Sequence, residues 1–146
     1  YQEVTGEKLY ILRLPGVFGS GCKPNYNSVV ATFCHNISNN LSIVIHDHNT
    51  KIKLLYIKDL IININSMIGN LPELINPISL KPVYEISIKD LATKIKYFHE
   101  HKDSIVIENS LDKAIYETYS SYNKDRLFWL KKVIKKKHIN LTKNIV

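Results

Sequence analysis

The residues of this chain best suited to chemistry lie in one glycine-rich run, Gly16, Val17, Phe18, Gly19, Ser20, Gly21, Cys22 and Lys23, which follows an apolar stretch as a phosphate-cradling loop would. A P-loop needs a lysine directly after its last glycine to reach the β and γ phosphates, and then a hydroxyl to hold magnesium. Cys22 and Lys23 stand in those two places, and Pro24 opposes a helix start, so the run reads as a glycine-rich connection. His35, His46 and His48, with Cys22 and Cys34, supply the ligand types of a zinc site. Neither a Cys-x-x-Cys pair nor a helical His-x-x-x-His pair is present to give them zinc spacing. No Ser-His-Asp or Cys-His arrangement can be argued from spacing, and Cys34 lies on an apolar helix face where thiols are inert.

Charge separates the chain into two parts. Residues 1–122 carry 12 Lys and Arg against 12 Asp and Glu, whereas residues 123–146 carry 8 basic residues against Asp125, so the net charge of +7 belongs to the tail. With Phe128 and Trp129 available for stacking, that tail is the basis of an alternative reading, a small module binding nucleic acid or an anionic surface through residues 123–146. The neutral body makes nucleic acid the lesser expectation. Two cysteines do not make a disulfide framework, and no apolar run reaches the roughly 20 residues of a membrane span, so a cytoplasmic protein is expected. The first residues, Tyr1, Gln2 and Glu3, show neither an initiator Met nor the pattern of a signal peptide.

The elements that must position these residues alternate between strand and helix. Lys8 to Leu14, stopped by Pro15 and Gly16, reads as a buried parallel strand. Asn27 or Ser28 is placed to cap a helix carrying Val29, Val30, Phe33 and Ile37. Leu41 to Ile45 reads as a second strand, and the alternation of Ile52, Leu54 and Tyr56 as a third. Asp59 is expected to cap a helix toward Met67, Val83 to Ile86 to form a short strand, and Ser87 to open an amphipathic helix through His99. A last helix from Ser110 carries Leu111, Ile115 and Tyr119 on one face. This order predicts an α/β class.

The run Arg13 to Gly19, RLPGVFG, followed by Cys22 to Val30, CKPNYNSVV, resembles the extended short-chain dehydrogenase/reductases that act on nucleotide sugars. The nearest likeness is to the bifunctional reductase/epimerases of capsular polysaccharide biosynthesis that make the UDP-N-acetyl-L-fucosamine precursor. Leu55, Tyr56, Ile57, Lys58 and Asp59 continue it, with Lys58 where the family has Asp, and so do Ser87 to Ala92. The resemblance implies the C-terminal part of a Rossmann-type parallel sheet with a small substrate-binding subdomain, incomplete, over residues 1–122. It implies that Leu14, Pro15 and Gly16 lie along NAD or NADP, that Asn27 and Ser28 approach the diphosphate of a UDP-sugar, and that Ile45 and His46 lie near its base. Many relatives have Asn at the position of Gly16 and Arg at that of Ile52. A homodimer is implied for the full-length parent.

In this family the glycine-rich cofactor fingerprint and the Tyr-x-x-x-Lys catalytic pair precede the part matched here; Tyr1 is not that tyrosine, because Thr5 stands four residues on. The expectation is therefore a substrate-side fragment, inactive alone and prone to aggregate through uncovered apolar faces. The run LFWLKKVIKKKHINLTKNIV is unlike the family, as a shifted reading frame after Tyr122 would make it.

Overall fold

A computed structural model describes residues 6, 10–69, 78–101 and 104–123. The basic tail, from residue 124 on, lies outside the described residues. The elements are β1 (Gly16–Phe18), α1 (Val29–Ser38), β2 (Lys51–Tyr56), α2 (Ile57–Gly69), β3 (Tyr84–Ser87), α3 (Ile88–Glu100) and α4 (Ser110–Tyr122). β2 is the central strand: β1 runs parallel to it with Gly16 beside Leu54, and β3 runs antiparallel with Ile86 beside Ile52.

Strand pleating sends successive side chains to opposite faces, and β2 shows this directly. Leu54 and Tyr56 enter a core with Phe18, Val30, Phe33, Leu91, Ile95, Ile115 and Tyr119, which packs α1, α3 and α4 on one face. Leu55, between them, joins Leu60 and Leu80 under α2 on the other face. The sheet is thus the middle of three layers, and three consecutive residues at the end of β2 are buried because both faces are covered.

Local chemistry explains the helix starts. Ser28 Oγ accepts from the Ala31 amide at 3.3 Å, Ser87 Oγ from the Asp90 amide at 3.0 Å, and Asn109 Oδ1 from the Asp112 amide at 2.9 Å, each satisfying a first-turn donor that has no helical partner. α1 ends where Asn40 takes a left-handed conformation, φ 56°, with the Leu41 amide bonded back to Asn36 O at 2.7 Å. Lys94 and the buried Asp112 tie α3 to α4 through an ion pair at 2.8 Å.

Three expectations from sequence are corrected. The first strand among the described residues is Gly16–Phe18: of the expected run Lys8 to Leu14, Lys8 and Leu9 lie outside the described residues, Leu12 forms a parallel bridge with Ile78, and Ile11 and Leu14 stay about half exposed at 49% and 51%. Gly16 suits the strand because a Cβ there would press on the Lys53 carbonyl at 3.3 Å. Leu41 to Ile45 is irregular: its start is tied into the turn that ends α1, the Leu41 amide bonding to Asn36 O and Ser42 O accepting from Asn36 Nδ2, while Ile43 and Ile45 still pack against the core. Asp59 does not cap α2, which begins two residues earlier, directly off β2; its carboxylate instead accepts from the Tyr84 hydroxyl at 3.2 Å. The sheet is also mixed where the resemblance implied parallel pairing.

The turn after β1 depends on a glycine. A Cβ at Gly19 would overlap Ile57 Cγ2 and lie 3.2 Å from Ile57 Cβ, whereas one at Gly21, φ 83°, would meet no atom within 4 Å. Gly19→Ala is therefore expected to lower stability by about 1–3 kcal/mol through overpacking. Gly21→Ala should cost only the backbone strain of about 1 kcal/mol. Urea denaturation of both variants checks the order, and equal losses would refute the overlap.

Candidate functional site

β1, the N-terminus of α1 and β2 meet at a cleft of about 260 Å³ lined by Gly16, Val17, Asn27, Ser28, Val29, Ile52, Lys53 and Leu54. Ser28 holds the start of α1 in an extended conformation, so the first amides of the helix lie beside the cleft. Thr32 Oγ1 donates to Ser28 O and accepts from the Asn25 amide, each at 2.9 Å, which fixes the entry of the chain into α1. No acid stands in the first turn of α1, and Lys53 is the charged residue among those lining the cleft. First-turn amides, the positive end of the helix dipole and the Asn27 carboxamide together favour an anionic ligand.

Of the residues marked from sequence, Gly16, Asn27 and Ser28 come together in this cleft. Leu14 and Pro15 lie just before β1, outside the lining. Leu14 is exposed and Pro15 half-buried, and neither offers a side-chain donor or charge for phosphates. Ile45 is half-buried against the core and His46 is exposed, both in the loop between α1 and β2. In that loop Asp47 accepts from the Asn49 amide at 2.9 Å and the Thr50 hydroxyl at 2.6 Å, and these bonds, Thr50 first, hold its carboxyl below the usual range. Ile52 lines the cleft where many relatives have Arg, and Lys53 beside it meets Gly16 through its carbonyl, its side chain leaving β2 on the face of Leu55.

The glycine run forms turns. The Cys22 amide bonds to Gly19 O at 3.3 Å, and helix begins only at Val29, so Lys23 does not open one. Among the described residues no three His, Cys, Asp or Glu side chains are grouped to hold a metal ion. Burial pushes the Cys34 thiol far above its ordinary range.

A polar node unmarked by sequence lies beside the glycine turns. Glu117 Oε2, on α4, accepts from the Tyr56 hydroxyl and from Lys58 Nζ, both at 2.6 Å. The two bonds, Lys58 first, lower the Glu117 carboxyl; the Glu117 bond raises Lys58; and burial, with the same bond, raises Tyr56. Lys58, where the family has Asp, thus has an acid across the fold as its partner.

No family model matches the chain. It is 38% identical over 125 residues, 82% of its length, to a UDP-2-acetamido-2,6-beta-L-arabino-hexul-4-ose reductase of Pseudomonas aeruginosa, and spans about a third (33%) of that protein. Its fold matches the capsular polysaccharide assembling protein CapF of Staphylococcus aureus with a TM-score of 0.75 at 33% identity, over 83% of this chain and 35% of that one. A UDP-glucose 4-epimerase of Thermus thermophilus, solved in complex with NAD, shares the fold at TM-score 0.64 and 13% identity, over 84% of this chain and 49% of that one. The resemblance carried by Arg13 to Val30 is borne out, and so is the Rossmann-like α/β class.

The node has an acid-side signature. Because the Glu117 carboxyl is lowered on folding, its stabilising contribution is present above the ordinary Glu value of about 4.3 and is lost as pH falls through the lowered folded value. Glu117→Gln should flatten the fall in urea midpoint between about pH 5 and pH 3. The contribution of Asp47 is common to both proteins and cancels, so identical acid limbs would refute the assignment.

Proposed function

We propose that this chain, a partial extended short-chain dehydrogenase/reductase by its likeness in sequence and fold, is the substrate-side portion of an NAD(P)-dependent UDP-sugar reductase/epimerase of capsular or surface polysaccharide biosynthesis. The cleft at the N-terminus of α1 carries the reading, because it gathers Gly16, Asn27 and Ser28 around first-turn amides. The relative of 38% identity acts on a UDP-sugar by its name, and the likeness extends over 82% of this chain.

In this reading the diphosphate lies at the first turn of α1, held by amide N–H groups and the Asn27 carboxamide. The run Leu14, Pro15 and Gly16 borders the nicotinamide, and the loop with Ile45 and His46 borders the base. NAD or NADP, when bound, exchanges hydride with a sugar carbon. The residues of this chain bind and orient the sugar nucleotide; the Tyr-x-x-x-Lys pair for proton transfer comes from the preceding part of the fold. Both cysteines are free thiols, in keeping with a cytoplasmic setting.

Isothermal titration with UDP tests this. The chain should bind UDP, Asn27→Asp should weaken binding about tenfold by placing an acid at the diphosphate, and Lys89→Glu, outside the cleft, should leave it unchanged. The chain alone should oxidise no NADH or NADPH in the presence of a UDP-keto-sugar. Equal UDP affinity in the Asn27 and Lys89 variants, or turnover by the chain alone, would overturn the reading.

A further inference from the structure

The turn after β1 is held from outside the sheet at several points, and two of the anchors lie on α4. Ser20 Oγ donates to Glu117 O at 3.3 Å, and the Tyr122 hydroxyl donates to Cys22 O. The Glu117 side chain, in turn, is bonded to Tyr56 at the end of β2 and to Lys58 in the first turn of α2. Gly19 packs against Ile57 with no room for a side chain, and the Phe18 and Tyr56 rings lie 5.4 Å apart. The turn is therefore enclosed between the start of α2 and the outer end of α4. It continues directly from Gly16 and Val17, which line the cleft.

We propose that α4 is a strap, with Glu117 and Tyr122 as positioning residues that fix the Gly19–Cys22 turn against the start of α2 and thereby set where β1 stands as a wall of the cleft. The consequence for UDP rests on the function proposed above; the strap itself does not. Neither residue touches the cleft, since neither is among its lining. Their action on a ligand passes through the turn and β1. Lys58 carries the specificity of the strap: an acid in its place would face Glu117 and repel it, so the departure at position 58 and the acid at position 117 form one device.

Cys22 is a reporter inside the turn, half-buried, and Cys34 is an internal control at 0% exposure. The experiment measures the labelling rates of both thiols with a disulfide reagent in the whole chain, for the wild type, Glu117→Gln, Tyr122→Phe and the exchange Lys58→Glu with Glu117→Lys. Loss of a charge-assisted bond should speed Cys22 labelling roughly tenfold in Glu117→Gln while Cys34 stays protected. The exchanged pair, which restores opposite charges, should return Cys22 toward the wild-type rate. UDP affinity, titrated in parallel, should fall in Glu117→Gln and recover in the exchange.

Unchanged Cys22 labelling in both single variants would overturn the strap. So would Cys34 becoming reactive together with Cys22 in every variant, because the node would then support the fold as a whole. A wild-type chain that fails to bind UDP while Cys22 labelling follows the expected order would defeat the proposed ligand and leave the strap standing.

Discussion

The structure depends on β2 having no free side. Its two edges are taken by β1 and β3, and its two faces by α2 and by the group of α1, α3 and α4. A backbone in that position has its polar groups paired within the sheet, and its side chains enter two separate cores. Leu54, Leu55 and Tyr56 can be apolar in succession only because each face is covered. The apolar run from Leu41 to Ile45, its start tied to Asn36 at the end of α1, packs its half-buried isoleucines against the same core as irregular backbone.

The cleft follows from this arrangement. β2 and β1 supply a strand wall, and α1, capped by Ser28, presents its N-terminus to it, so a positive helix end and the Asn27 carboxamide come to one place without a charged motif in the sequence. Two positions at which many relatives carry Asn and Arg, those of Gly16 and Ile52, line the same cleft, so the departures fall on the surface a ligand would meet. On the other side of the turn after β1, the Glu117 carboxylate gathers Tyr56 and Lys58, which join three elements at one oxygen.

Much of the fold was legible. Ser87 was read as a helix start, and the first cap was narrowed to Asn27 or Ser28, of which the structure uses Ser28, because capping is a local bargain between a side-chain oxygen and amides three residues on. The alternation of Ile52, Leu54 and Tyr56 gave β2, since one half-buried face has a period of two. Reading failed where a partner decides the outcome. The run from Lys8 to Leu14 has strand composition, but the strand forms where β2 offers an edge, at Gly16–Phe18. Asp59 has a capping side chain, but β2 passes into α2 before reaching it.

By itself, then, the sequence determined the local features of this protein: helix caps, the period of β2, the glycine-rich break after the first apolar run, and the motif that relates it to the nucleotide-sugar reductases. These are settled within a few residues by sterics and short hydrogen bonds. Only the tertiary structure decided which apolar run became a strand, that Ile52 stands with Asn27 and Ser28, and that Lys58 and Tyr56 share an acid 59 and 61 residues away. Strand edges, cleft walls and ion pairs are properties of two segments at once, and nothing in either segment alone specifies the other.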